Sequence, residues 1–166
     1  AEFGVWRGGS GTLLIYAARN SPFERKVWLF DSFEGAPEPD EFDTNIAHHP
    51  GRAKADEEYV RELLKTAHIP EDRYHIIKGW YEETFPAIKP PPLALIHFDA
   101  EMYKSAKLVL EKFYDYLEPG GYFIFNSWGV GEGLKRAMNE FMRDHGLALV
   151  ERSIDHVSCY FEKTLK

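Results

Sequence analysis

The sequence predicts an α/β domain, with a mostly parallel sheet carrying helices on both faces and an antiparallel hairpin at one edge. Two observations carry that expectation. Strand and helix patterns alternate along nearly the whole 166-residue chain, as they do where crossover helices cover a parallel sheet. The last two strand patterns then follow one another with no helix between them, which only an antiparallel pair allows over so short a connection.

The elements can be justified in order. Residues 1–5, "AEFGV", read as a strand, and residues 6–11, "WRGGSG", as a glycine-rich turn. Residues 12–19 have helical spacing, with Leu13, Ile15, Tyr16 and Ala17 available for burial. "VWLF" at 27–30 is a short apolar strand ending at Asp31-Ser32. Residues 34–52 carry Gly, Pro, Asp and Asn signals and read as a long loop, mobile unless it closes over a site. An amphipathic helix over 54–67 places Tyr59, Val60, Leu63 and Leu64 on one face. A strand at 74–78 and a short helix at 80–88 lead to Lys89-Pro90-Pro91-Pro92, which stiffens the approach to the strand "LALIHF" at 93–98. A helix over 102–117 ends at Pro119-Gly120, and a strand at 122–125 is followed by a helix at 133–145. Strands at 147–151 and 156–162, around a turn near Asp155, close the chain.

Composition narrows the function. The length suits one domain with a substantial core, and an aromatic share of 15% predicts that ring packing dominates it. A net charge of −7 with interspersed signs argues against a nucleic-acid partner, which would need a basic stripe. One cysteine, Cys159, allows no internal disulfide, and neither a signal peptide nor an apolar run of membrane-spanning length is visible. The expectation is a cytoplasmic protein with no membrane partner. Homo-oligomerisation is left open.

Ligands of open α/β sheets bind at the carboxyl ends of the strands, and three such ends carry polar residues. Gly4-Val5-Trp6-Arg7-Gly8-Gly9-Ser10 lets the backbone approach a nucleotide-like ligand before a helix N-terminus; a tight strand-to-helix turn is the alternative. Asp31 could accept two hydroxyl hydrogen bonds from a ribose, or make an Asx turn with Ser32 and its neighbours. Asp99, just past "LALIHF", could bind a metal, act as a base or cap the next helix. His97 lies within that strand, where packing is the commoner role. His48-His49 lacks acidic metal-ligand spacing, which disfavours zinc. There is no Gly-x-Ser-x-Gly elbow and no GxGxxG, so a hydrolase and a nicotinamide-dependent oxidoreductase are both disfavoured.

Successive blocks, "EFGVWRGGS", "VWLFDSFEGAPEP", "HIIKGWYEETFP", "LALIHFDAEMYKSAKLVLEKFYDYLEPGGYFIFNSWG" and "LKRAMNEF", resemble the macrocin O-methyltransferase family in order over nearly the whole chain. The resemblance implies a Rossmann-like class I methyltransferase domain over residues 1–166. It implies S-adenosyl-L-methionine as cofactor and a hydroxyl of a small molecule, a natural-product sugar, as acceptor. Glu2, Gly4, Gly8, Gly9 and Ser10 then fall where the methionine moiety and backbone contacts lie. Asp31 and Ser32 fall at the ribose, and Gly79-Trp80 beside the adenine. Asp99 becomes the expected base, with Glu101 or His97 behind it.

Two departures qualify that resemblance. Members of the family usually carry an Asp-Asp pair after the fifth strand that, with the acid at the Asp99 position, holds Mg²⁺. Here the pair is Asn126-Ser127, a poor cage for a hard cation. The expectation is that Mg²⁺ is weakly held at Asp99 or not at all, and that Asn126 and Ser127 orient a substrate hydroxyl or water. The family also carries covering sequence before its first glycine block, so a cap region absent from this chain is expected. The alternative is a non-catalytic cofactor-binding protein with a decayed metal site.

Overall fold

The structure is a computed structural model that describes residues 1–44 and 49–164; His48 of the loop histidine pair lies outside the described residues. Seven strands form one sheet in the order β3-β2-β1-β4-β5-β7-β6. They are β1 (Glu2–Phe3), β2 (Val27–Asp31), β3 (Tyr74–Lys78), β4 (Leu93–Phe98), β5 (Leu117–Phe125), β6 (Arg152–Ser153) and β7 (Cys159–Glu162). The first five pair in parallel, and β7 pairs antiparallel with both β5 and β6. The helices are α1 (Gly9–Arg19), α2 (Glu57–Thr66), α3 (Tyr81–Thr84), α4 (Tyr103–Phe113) and α5 (Glu132–Asp144). No helix among the described residues is long and apolar enough to cross a membrane.

Strand alternation divides the core. Register places Phe3, Phe30, Phe98 and Phe125 side by side on one face, and all four are fully buried. They pack with Phe113 of α4 and with Leu134, Met138 and Phe141 of α5. Phe3 and Phe30 stack at 4.7 Å, and Phe113 meets Phe3 edge-on at the same distance, so aromatic packing does dominate this face. The opposite face carries Val27 and Leu29 against Ile15 of α1 and Val60 and Leu64 of α2.

The differences from the sequence reading have local causes. β1 is only two residues long because Gly4 takes φ +89° and turns the chain away. The expected 102–117 helix stops at Phe113, continues as a 3-10 turn over Tyr114–Tyr116, and β5 starts at Leu117. Pro119-Gly120 is therefore a bulge inside β5 rather than a turn before it: Leu93 pairs with Leu117, but Leu95 pairs with Tyr122. The 80–88 helix is split into α3 and a 3-10 turn over Phe85–Ala87, with Pro86 in its first turn. The closing strands are shorter and shifted, and the turn between them is made by Asp155 Oδ1 accepting from the Val157 and Ser158 amides.

The fold places the site by topology. The chain runs outward from β1 to β2 and β3, then returns to β4 on the other side of β1. The carboxyl ends of β1 and β4 therefore diverge into a crevice, the position where open α/β sheets bind ligands.

Candidate active site

A cavity of about 880 Å³ fills that crevice, within the range of small-molecule sites. One wall is built by the loop after β1. Asp31, at the end of β2, accepts from the Val5 amide at 2.6 Å and the Trp6 amide at 2.8 Å through Oδ2. Its Oδ1 accepts from the Phe33 amide at 2.7 Å. One carboxylate thus ties two strand ends together, and Trp6 and Phe33 are held at positive φ of 48° and 59°. Gly4 is required here, since a Cβ on it would lie 2.5 Å from the Asp99 carbonyl oxygen. Gly8, at φ +80°, precedes α1, and no side chain caps that helix. A Cβ on Gly9 would meet nothing within 4 Å, so the start of α1 faces open space.

The end of β3 adds a second part. Gly79 sits at φ +135°, where a side chain would be strained, and a Cβ there would lie 2.8 Å from Thr84 Cγ2. The Thr84 hydroxyl bonds the Trp80 carbonyl at 3.0 Å, and the half-buried Trp80 lines the cavity.

The opposite wall follows β4, with the turn after β5 behind it. Asp99 and Glu101 line the cavity. Burial, the largest influence, raises the Asp99 carboxyl above the ordinary range. The Asn126 amide and His97 oppose that shift, and Glu101 adds to it. Asn126 Nδ2 donates to Asp99 Oδ1 at 2.8 Å, and the Ser158 hydroxyl donates to Asn126 Oδ1 at 2.9 Å. The Ser127 hydroxyl donates to Glu101 Oε1 at 2.5 Å.

The long loop after β2 forms the roof. Its base is zipped by Ala36 N to Arg52 O at 2.7 Å and Gly51 N to Ala36 O at 2.9 Å. Its middle is latched onto α4 and α5. Asp43 Oδ1 accepts from the Tyr103 amide at 2.8 Å, and Asp40 pairs with Lys104 at 3.0 Å. Phe42 lies under the Arg136 guanidinium at 3.6 Å and against the Tyr103 ring at 4.8 Å. Gly133 of α5 makes room for this latch, because a Cβ there would collide with Asp43 Oδ1.

Of the residues expected at the site, Gly4, Gly9, Ser10, Asp31, Ser32, Gly79, Trp80, Asp99 and Glu101 line the cavity. Others do not. Glu2 is fully buried beneath the loop, with Oε1 3.0 Å from His97 Nδ1. Its Oε2 has no hydrogen-bond partner and lies under Gly11. Glu2 is therefore part of the floor rather than a contact surface, and His97 is its partner rather than a cavity group. Gly8 shapes the turn from outside the lining, against Val60 of α2. Asn126 and Ser127, expected to face substrate, stand behind the acids and bond to them. Asp31 makes the Asx turn of the alternative reading. Asp43 and Ser158 were not found by sequence reasoning. Their partners lie 60 and 32 residues away, and no local motif announces such contacts.

Comparison with known proteins agrees with this architecture. A family model described as Macrocin-O-methyltransferase (TylF) matches residues 1–163. The chain is 28% identical over 170 residues to 8-demethyl-8-(2,3-dimethoxy-alpha-L-rhamnosyl)-tetracenomycin-C 4'-O-methyltransferase of Streptomyces olivaceus, covering 98% of this chain and 65% of that protein. It is equally identical, with the same coverage, to demethyldecarbamoylnovobiocin O-methyltransferase of Streptomyces niveus. The chain thus spans about 65% of the length of these relatives. Among solved structures, the O-methyltransferase NovP superposes with a TM-score of 0.91 at 27% identity, covering 99% of this chain and 71% of that one. The fold is the Rossmann-like fold of class I methyltransferases.

Proposed function

The chain belongs to the macrocin O-methyltransferase family, and from that premise we propose that it transfers a methyl group from S-adenosylmethionine to a hydroxyl of a natural-product sugar. The observation that carries the reading is the cavity itself: a glycine-built backbone wall faces the Asp99 carboxylate across one crevice.

The residues present fit the cofactor. The uncapped start of α1 presents backbone N–H groups and a positive dipole end to a carboxylate. Gly9 leaves open space beside it. Trp80 offers a flat apolar face at the edge that suits an adenine, and Ser32 supplies a hydroxyl near Asp31. When bound, the cofactor supplies an electrophilic methyl group on a sulfonium.

The chain's own residues do the rest. Asp99 accepts the proton of the acceptor hydroxyl as its oxygen becomes a nucleophile, and a carboxyl made more basic by burial is better suited to that task. Asn126 fixes one Asp99 oxygen by its hydrogen bond. The latched loop, with Pro37, Glu38 and Asp43 in the lining, covers the acceptor side and limits water there. Positioning and proton removal are the two contributions asked of the protein.

Incubation with S-adenosylmethionine and a panel of rhamnosides, deoxysugar glycosides and phenols tests the reading by mass spectrometry. The expected result is a mono-methylated glycoside and S-adenosylhomocysteine in equal amounts. Firm S-adenosylhomocysteine binding with no methylated product from any acceptor would favour the non-catalytic alternative instead. The relatives, all named as methyltransferases, give that alternative no support.

A further inference from the structure

We propose that the amide of Asn126 and the hydroxyl of Ser127 do here what a divalent cation could do elsewhere: they hold the acids Asp99 and Glu101 in place, and Ser158 fixes the amide's orientation. The proposal concerns how the methyl-transfer site of the preceding reading is held together, and its binding test does not depend on turnover.

The orientation of the side chains argues for it. The Asn126 backbone amide bonds the Phe98 carbonyl at 3.0 Å, which extends the β4–β5 ladder and brings Asn126 beside Asp99. An ionised carboxylate only accepts hydrogen bonds, so the amide turns its NH₂ toward Asp99. Its oxygen then points away and is occupied by the Ser158 hydroxyl at 2.9 Å. A cation at Asp99 would need that oxygen turned inward. The turn would break the Ser158 bond as it stands and take the NH₂ donor away from Asp99.

Ser127 is engaged in the same way. Its hydroxyl hydrogen is given to Glu101, so the Ser127 oxygen is already committed to that acid. The two neutral residues stand behind the acids, outside the cavity lining. No group of three or more His, Cys, Asp or Glu side chains that could hold a metal ion occurs among the described residues. Mg²⁺ dehydrates reluctantly and takes carboxylates plus waters in near-ideal octahedra. A site with two acids already bonded to donors, and two neutral partners facing the wrong way, does not fit it.

Direct metal binding tests the proposal. Mn²⁺ is titrated into the protein saturated with S-adenosylhomocysteine and followed by electron paramagnetic resonance, with Mg²⁺ as competitor. The expected result is no saturable binding at millimolar Mn²⁺. The Asn126→Asp, Ser127→Asp double variant should bind saturably, and Asp99→Asn added to it should abolish that binding; if the double variant does not fold, Asn126→Asp alone carries the comparison. Saturable wild-type binding lost in Asp99→Asn would overturn the proposal. A folded variant that still binds nothing would also overturn it, because the neutral residues would then not be what excludes the cation. Ser158 is tested by turnover. Ser158→Ala should lower kcat about tenfold with an unchanged KM for the acceptor, and Ser158→Thr should restore it. Equal kcat in all three proteins would remove Ser158 from the account.

Discussion

The two walls of the cavity are held by different physics. The wall after β1, β2 and β3 is a backbone structure. Its shape comes from Gly4 and Gly79 at positive φ, and from one carboxylate, Asp31, that collects three main-chain amides. The wall after β4 is a side-chain structure, in which Asp99 and Glu101 are each held by a neutral partner from the turn after β5. Backbone constraints admit few residue types, so the first wall suits an invariant ligand such as a cofactor. Side-chain pairs can be exchanged while the sheet is kept, so chemistry can be retuned on the second wall.

Breaking the chemical wall should give the largest effect. Asp99→Asn keeps the shape but removes the proposed proton acceptor. It should lower kcat by about a hundred- to ten-thousand-fold, measured by steady-state methyl transfer, with S-adenosylhomocysteine affinity little changed. A kcat within threefold of wild type would take the base role away from Asp99.

Breaking the backbone wall should act on stability as well as on binding. Gly4→Ala forces a side chain into φ +89° and 2.5 Å from the Asp99 carbonyl. A loss of about 2–4 kcal/mol is expected in chemical denaturation. Asp31→Ala leaves the Val5 and Trp6 amides without their acceptor. It should cost about 1–3 kcal/mol, seen in calorimetry as weaker S-adenosylhomocysteine binding.

The smallest expected effect sharpens the comparison at the roof. Glu140 of α5 accepts from the Tyr103 hydroxyl at 2.6 Å and from Arg136 at 2.8 Å. These bonds, the Tyr103 one foremost, hold its carboxyl down at about 2. A depressed carboxyl stabilises the fold above its unfolded pKa near 4.5 and loses that contribution as pH falls through about 2. Glu140→Gln should therefore cost about 1 kcal/mol at neutral pH, given solvent screening. The variant should also lose less stability than wild type between pH 5 and pH 2, read from thermal melts. Parallel pH profiles for the two proteins would show that Glu140 does not brace the Tyr103–Arg136 side of the latch.

The same difference explains what could be read in the sequence. The alternation of elements gave the sheet order's parallel core because strand and helix periods are local. Gly4, Gly79 and Trp80 were legible for a related reason: a chain that must turn sharply after a strand shows it in neighbouring residues. Asp31 was legible at a strand end, but only the folded chain shows that its Oδ2 accepts from amides 25 and 26 residues away. The burial of Glu2 was not legible, because it depends on α1 closing over it through Gly11. Asn126 and Ser127 were noticed as neutral where charge was expected, but their orientation depends on Ser158 and Glu101. The bulge at Pro119-Gly120 looked like a strand boundary because its turn chemistry is local, whereas the pairing of Leu117 with Leu93 is not.

The most direct measurement is a crystal structure of the protein with S-adenosylhomocysteine. Density for the ligand is expected in the β1/β4 crevice, its amino-acid end against Gly4–Ser10, its adenine beside Trp80 and its sulfur turned toward Asp99. Density confined to another surface, or a crevice left empty at saturating ligand, would contradict it.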